Sequence, residues 1–268
     1  MRGSDQGVVF SDERQNNILR IVREAGSASI ENLAERFQVT PQTIRRSVNR
    51  LCAMGLLRRV HGGVAPPASS QNIAYETRQV LNPEAKRVIA QSVTRFIPDG
   101  ASLFIGLGTT PEFVAHALSE RKDLRVFTNS LNVAAALARN PEIEITLAGG
   151  TYRRHDRDII GEPAAVFYAR FKADFAIFGV GGLDEDGMLL DFNSGEVEAR
   201  SAMVSGCRSS ILVADASKFG RNATVRGGHL RDIDHLFTDA PVPAAFCQVV
   251  ADAGVQIHVA PTIVTRAA

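Results

Sequence analysis

The chain has 268 residues, 45% hydrophobic and 22% charged, enough apolar content for one large domain or two. Its three cysteines (Cys52, Cys207, Cys247) are too few and too scattered for a disulfide framework or a metal cluster, and no apolar run is long enough to span a membrane. The net charge of +1 hides an asymmetry: residues 1–61 hold ten arginines against six acidic residues, +4, leaving −3 for the rest, so only the N-terminal part is suited to a polyanion.

Residues 1–10 read as a loose end with no signal-peptide core, and the protein is expected in the cytoplasm. Ser11-Asp12-Glu13 is a helix start with acids in its first turn. Ile18, Ile21, Val22 and Ala25 give that helix an apolar face, and Gly26 stops it. Ser29 caps a second helix with Ile30, Leu33, Ala34 and Phe37 inward. A tight turn at Gln38-Val39 leads to Thr40-Pro41, an N-cap followed by proline at the first helical position. Helix, turn and capped helix within about 25 residues is the helix-turn-helix arrangement.

On the third helix Ile44, Val48, Leu51 and Cys52 form one apolar stripe. Arg46 points away from it, Gln42, Asn49 and Arg50 flank Arg46, and Thr43 and Arg45 sit at the edges. Guanidinium and amide groups on one face can pair bidentately with guanine and adenine edges in a major groove. The plain alternative is a solvated basic helix. After Gly55, the run Leu56 to Val64 reads as a short hairpin, a wing, with Arg58 and Arg59 near its tip and Gly62-Gly63 as the turn. His61 either contacts a phosphate or packs. The DNA-binding set is therefore Thr40, Gln42, Thr43, Arg45, Arg46, Asn49, Arg50, Arg58, Arg59 and His61, within a domain at 11–65.

Pro66-Pro67-Ala68-Ser69-Ser70 has linker composition, and 66–82 is assigned as linker. Residues 73–97 look helical with an interruption at Pro83. From residue 100 the pattern alternates. Strand-like runs fall at 102–105, 125–127, 143–147, 175–178, 211–213, 235–238 and 256–259. Amphipathic stretches at 111–118, 131–138, 163–171, 195–205 and 243–253 lie between several of them. The fold class is thus a winged helix-turn-helix plus an α/β domain at 83–260 with a doubly wound, mainly parallel sheet. Such sheets bind ligands at the carboxyl ends of their strands.

Those ends are polar or glycine-rich. Gly106, Gly108, Thr109 and Thr110 precede a helix read as starting at Pro111, a short cradle for a phosphate. It is neither a Walker motif nor the dinucleotide glycine fingerprint. Thr128, Asn129 and Ser130 follow the second strand, and Gly149 and Gly150 the third. Asp184 lies in the acidic run after the fourth and Lys218 in the loop after the fifth. Hydroxyls, an amide, carboxylates and an ammonium suit a small phosphorylated polyol or sugar. A nucleotide is disfavoured, since there is no Trp and only three Tyr to stack a base. The run 153–158 (RRHDRD) reads as a solvated loop, a mobile lid or a subunit contact.

The segments TPQTIRR, GLLRRVHGGV, SLFIGLGTTPEFVAHAL, FTNSLNVA, LAGGTYR, IIGEPA, GVGGLDEDGMLLDFN, SKFGRNATV and TDAPVP span nearly the whole chain. In that combination the sequence resembles the DeoR family of bacterial transcription regulators. The resemblance implies a winged helix-turn-helix and a sensor domain related in fold to ribose-5-phosphate isomerase. It places Gly108, Thr109, Thr110, Thr128, Asn129, Asp184, Glu196 and Lys218 around an effector, and Gln42, Thr43, Arg45 and Arg46 against double-stranded operator DNA. It implies a repressor without cofactor, acting as a homodimer or homotetramer, with glycerol 3-phosphate or a neighbouring sugar phosphate as inducer. Three positions depart from the family pattern. Ser47 stands where an aspartate is usual, which would leave the helix surface more positive. Gly106-Leu107 replaces an acid before the threonine pair, and Asn193-Ser194-Gly195-Glu196 holds a glycine where bulk is expected. The alternative function is a sugar-phosphate isomerase-like enzyme with Glu196 and Asp184 as base and acid and Lys218 holding phosphate.

Overall fold

The computed structural model describes residues 13–67 and 72–261, which divide into two compact units at Leu81/Asn82. The expected helix start at Ser11-Asp12 and the linker residues Ala68, Ser69 and Ser70 lie outside the described residues. In the first unit, α1 (Glu13–Ala25) buries Ile18, Leu19, Ile21 and Val22 and stops before Gly26, whose φ is +72°. The two-residue strand β1 (Ala28–Ser29) follows. Ser29 then accepts from the Asn32 N–H (3.0 Å) to cap α2 (Ile30–Arg36). Gln38 turns the chain with φ +52°. Thr40 accepts from the Thr43 N–H (3.3 Å) at the start of α3 (Pro41–Ala53). Leu33, Ile44, Val48 and Leu51 are fully enclosed together, each contributing about 1.5–3 kcal/mol of apolar burial.

The wing is β2 (Arg58–Val60) paired antiparallel with β3 (Gly63–Ala65), and β3 also pairs with β1, giving the order β1-β3-β2. Because Gly63 pairs with both Val60 and Ser29, the turn is His61-Gly62, one residue earlier than Gly62-Gly63. Gly62 takes the positive φ (+75°), while Gly63 is needed for contact: a Cβ there would lie 2.2 Å from the Ala28 carbonyl oxygen. The short helix α4 (Tyr75–Val80) forms within 66–82. Ile73 and Leu81 on its two sides pack against the core of this first unit.

The second unit opens with α5 (Pro83–Phe96). Then β4 (Ser102–Ile105), α6 (Thr109–Leu118), β5 (Arg125–Thr128), α7 (Leu131–Leu137) and β6 (Glu144–Leu147) alternate. They are followed by α8 (Glu162–Ala169), β7 (Ala173–Phe178), β8 (Gly182–Leu183), β9 (Met188–Asp191), α9 (Ser194–Gly206) and β10 (Cys207–Val213). The unit closes with β11 (Val225–His229), β12 (His235–Thr238), α10 (Cys247–Ala253) and β13 (Gln256–Val259). Seven strands form one parallel sheet in the order β13-β12-β10-β7-β4-β5-β6. These are the seven runs that alternation pointed to.

The sheet is covered on both faces, as strand alternation requires. Leu103 and Ile105 of β4 face one core with Ile89 and Val93 of α5, Val114 of α6 and Val133 of α7. Phe104, between them in sequence, faces a second core with Tyr168 of α8, Met203 of α9 and Val250 of α10. A small antiparallel sheet in the order β11-β9-β8 is appended, outside the strand-helix rhythm of the sequence. The chain enters the large sheet at β4, moves outward to β6, and returns to the other side of β4 with β7. The reversal between β4 and β7 opens a crevice at their carboxyl ends.

Gly63→Ala is expected to cost the first unit clearly more stability than Gly62→Ala, which meets open space and pays only the backbone strain of about 1 kcal/mol. Thermal denaturation of the two variants compares them; equal losses would mean that β1 is not held against β3.

Candidate functional site

In the first unit, α3 presents Gln42, Arg45, Arg46, Asn49 and Arg50 exposed, while Ile44, Val48 and Leu51 are buried. Thr40 caps the helix and shares a 3.0 Å contact with the Thr43 hydroxyl. Arg45 faces Glu31 of α2 across 3.9 Å, both half or more exposed, a contact of little energy. On the wing, Arg58 and Arg59 are exposed; Arg58 donates to the Pro66 carbonyl (3.1 Å) and Arg59 to the side chain of Asn49. His61 is exposed at the turn. Ser47 is buried, 7% exposed, on the packed side of α3. The expected effect of Ser47 on the basic surface is therefore corrected: position 47 lies about 60° from Ile44 on the wheel, and its change acts on packing.

In the second unit, a small pocket of about 300 Å³, counting its open mouth, sits in the crevice between β4 and β7. Gly106 and Leu107 line it from the end of β4, Asn129 from β5, and Phe178 and Gly179 from β7. Asp191 of β9 and Glu196, Ala199, Arg200 and Met203 of α9 complete it. Gly106 is explained by contact: a Cβ there would stand 3.3 Å from the Met203 thioether. The acid expected before the threonines is thus replaced by an apolar wall of Leu107, Phe178 and Met203. Gly195 is explained the same way, since its Cβ would stand 2.9 Å from the Gly161 backbone nitrogen. The carboxamide of Asn193 caps α9 by accepting from the Gly195 N–H (2.8 Å), which fixes Glu196 in the first turn.

The other expected residues divide by role. The helix α6 starts at Thr109, two residues before Pro111, with Gly108 (φ +119°) as its N-cap. Pro111 is tolerated because first-turn N–H groups have no intrahelical partner. Thr109 and Thr110 are buried with their amides at that helix end, beside Leu107. The Thr128 hydroxyl donates to the Ile105 carbonyl (2.7 Å), and Ser130 caps α7 (3.4 Å to the Val133 N–H), so both side chains hold structure. Asn129 is locked: its N–H donates to Tyr168 Oη (3.0 Å), Tyr168 donates to Asn129 Oδ1 (2.9 Å), and Asn129 Nδ2 donates to the Ile159 carbonyl (2.7 Å). Lys218 is half-buried in the turn after β10, beside Asp215. Burial alone would raise the Asp215 carboxyl, but Lys218, Ser217 and Lys86 hold it below its ordinary range. Gly149 and Gly150 are exposed beyond β6, and Asp184 is exposed in the turn between β8 and β9. Of the expected effector residues, Gly106, Asn129 and Glu196 line the pocket itself.

Charge around the pocket comes largely from residues outside the expected set. Arg153 makes a bidentate pair with Asp158 (2.9 and 2.7 Å), donates to Glu196 Oε1 (2.7 Å), and lies 3.3 Å from Asp156. Asp158 is fully enclosed. The 153–158 run is therefore no solvated loop throughout: Arg154, His155 and Arg157 face solvent, and the other three turn inward. Arg200 pairs with Asp191 and donates to the Gly227 carbonyl (2.7 Å), and Asp191 accepts from the Gly181 N–H (2.7 Å). Burial, then the nearby Asp191 charge, pushes the Glu196 carboxyl up to about 7 against the pull of Arg153. Burial opposes the Arg153 charge, but bonds and charges from Asp158 and Glu196 raise it overall. Asp158 is the bidentate partner that neutralises Arg153, which leaves Glu196 a weaker share. Asp191 and Tyr168 each stand in an apolar run (MLLD, EPAAVFYA), a signal for buried pairing, whereas Arg200 stands in the polar run GEVEARSA, which carries no such signal.

Residues 14–70 match the DeoR-like helix-turn-helix domain, and residues 81–240 the DeoR C terminal sensor domain. The chain belongs to the DeoR family. The family includes the glycerol-3-phosphate regulon repressor of Escherichia coli K12, 45% identical over 246 residues, 92% of this chain and 98% of that protein. The HTH-type transcriptional repressor CsqR of Escherichia coli K12 is 40% identical over 244 residues, 91% of this chain and 94% of that protein. Among solved structures, the chain is similar to ribose 5-phosphate isomerase from Plasmodium falciparum (TM-score 0.37, 16% identity, 50% of this chain and 52% of that chain). DeoR-family membership, with its helix-turn-helix domain, favours a regulator over the isomerase-like enzyme. Among the described residues no helix is long and apolar enough to cross a membrane.

A carboxyl raised from 4.5 to about 7 adds stability that is fully present below pH 4.5 and is lost as pH rises through 7. The stability of the wild type relative to Glu196→Gln is expected to fall across that window, by at most about 1.4 kcal/mol per pH unit. Thermal denaturation of both proteins from pH 4.5 to 8 measures it; parallel curves would show that folding leaves the Glu196 carboxyl at its ordinary range.

Proposed function

We propose that this protein is a transcriptional repressor that binds double-stranded operator DNA through α3 and the wing. A small phosphorylated polyol or sugar, glycerol 3-phosphate first among them, binds the strand-end pocket and releases it. The observation that carries this reading is the exposed Gln42–Arg46–Asn49 face on a capped helix, in a chain 45% identical along 98% of a glycerol-3-phosphate regulon repressor.

The α6 amides at Thr109 and Thr110 are oriented for a phosphate, and the α6 dipole adds to the attraction. Asn129, Asp191 and Glu196 offer acceptors and donors to hydroxyl groups, and the apolar wall of Leu107, Phe178 and Met203 favours a short carbon chain. Release is linkage: an effector that binds better to an arrangement unsuited to DNA shifts the population toward it. A single winged helix reads a few base pairs, so two copies on a repeated or palindromic operator give useful affinity, as a homodimer or homotetramer.

Arg46→Ala is expected to abolish operator binding in a mobility-shift assay while the protein still folds and still binds effector. Near wild-type affinity would remove α3 from the interface. Lys218→Ala is expected to bind operator normally and to stay bound when glycerol 3-phosphate is added; normal release would remove Lys218 from the effector site. In a thermal-shift comparison of small phosphorylated polyols and sugars, a true effector at about a hundred times its Kd adds about 2.7 kcal/mol to stability. A screen without any shift would overturn the effector assignment.

A further inference from the structure

On α3, the side chains of Gln42 and Arg46 have no partner among the described residues, whereas Asn49 has one. The Arg59 guanidinium reaches from β2 and donates from Nη2 to Asn49 Oδ1. Burial raises the Cys52 thiol, three residues further along α3, and the Arg59 charge pulls the other way, which agrees with a guanidinium near this part of the helix. Both side chains of the pair are exposed on the face that the operator-binding reading assigns to DNA.

We propose that Arg59 and Asn49 act as one hydrogen-bond-donor unit that reads guanine, with Arg59 setting the base preference of Asn49. This rests on the operator-binding reading above. A lone asparagine offers both polarities: Oδ1 accepts from adenine N6 while Nδ2 donates to adenine N7. Here one lone pair of Oδ1 is taken by the guanidinium. The positive charge beside it repels a second donor, and the adenine amino group is such a donor. The pair therefore presents only N–H groups outward: Asn49 Nδ2 and the N–H groups of Arg59 that Asn49 leaves over. Guanine shows two acceptors in the major groove, O6 and N7. Adenine shows an acceptor and a donor, cytosine a donor, and thymine a single acceptor beside a methyl group. A donor-only edge fits guanine best. Arg59 is a positioning residue in this scheme, and a plain phosphate contact from the wing would leave base preference untouched.

The test is selection of bound duplexes from a randomised double-stranded library by the full-length wild type, Asn49→Ala and Arg59→Ala. One position is expected at which the wild type favours guanine over adenine by about tenfold or more. That preference disappears in Asn49→Ala and turns toward adenine in Arg59→Ala, while preferences at the remaining positions stay as they were. The proposal is overturned by an Asn49-dependent position that already favours adenine in the wild type. It is equally overturned by an Arg59→Ala protein that binds every sequence more weakly with unchanged preferences, or by an Asn49→Ala protein that shifts no preference. A wild type that enriches no sequence would overturn the operator reading itself, a separate and recognisable failure.

Discussion

All seven strands of the large sheet run the same way, so every carboxyl end opens on one edge. That constraint organises the second unit. Parallel neighbours need helical crossovers, and the crossovers bury both faces. The one place where the chain changes direction across the sheet is between β4 and β7, and the pocket occupies it. Glycines at 106 and 195 then let α9 approach, so that Glu196, Arg200 and Met203 close a cavity that the strands alone leave open.

The polar side of that cavity is built from pairs already satisfied within the protein. Arg153 holds Asp158 and Glu196, and Arg200 holds Asp191. Breaking such a buried pair by removing one partner leaves an uncompensated charge and costs several kcal/mol. A ligand entering here competes with existing bonds, so its contacts must replace those it disturbs. Glu196 is the most readily exchanged member, since Asp158 meets Arg153 through two bonds and Glu196 through one. The loop from Gly149 to Ile159 and the first turn of α9 are joined through this arginine, which ties two polar segments to one charge balance.

Much of this architecture was readable in the sequence because its signals were periodic. Ile44, Val48 and Leu51 recur at helical spacing and are all enclosed, and each strand run is a β-rich apolar segment between turn residues. Ser47 was readable too, since the same wheel places it beside Ile44, but its meaning was drawn from the family and not from its angle. The run 153–158 was opaque for a physical reason: five charged residues and a histidine have no apolar phase to show which face turns inward. Asp184 followed a strand end and looked like pocket chemistry, yet Asp184-Glu185-Asp186-Gly187 closes a hairpin. Gly187 (φ +83°) turns that chain back into β9, and the small antiparallel sheet leaves no periodic trace in strands this short.

Tyr168 gives this pocket an optical label. The chain contains no tryptophan and three tyrosines, so its near-ultraviolet emission is tyrosine emission alone. Tyr75 is buried in the first unit, Tyr152 is 46% exposed, and Tyr168 is enclosed with its hydroxyl bonded to Asn129 at the pocket floor. Burial raises that phenol well above its ordinary range. The Tyr168 phenolate therefore forms late on alkaline titration. A chromophore one hydrogen bond from Asn129, which lines the cavity, reports on that cavity without any dye or engineered probe.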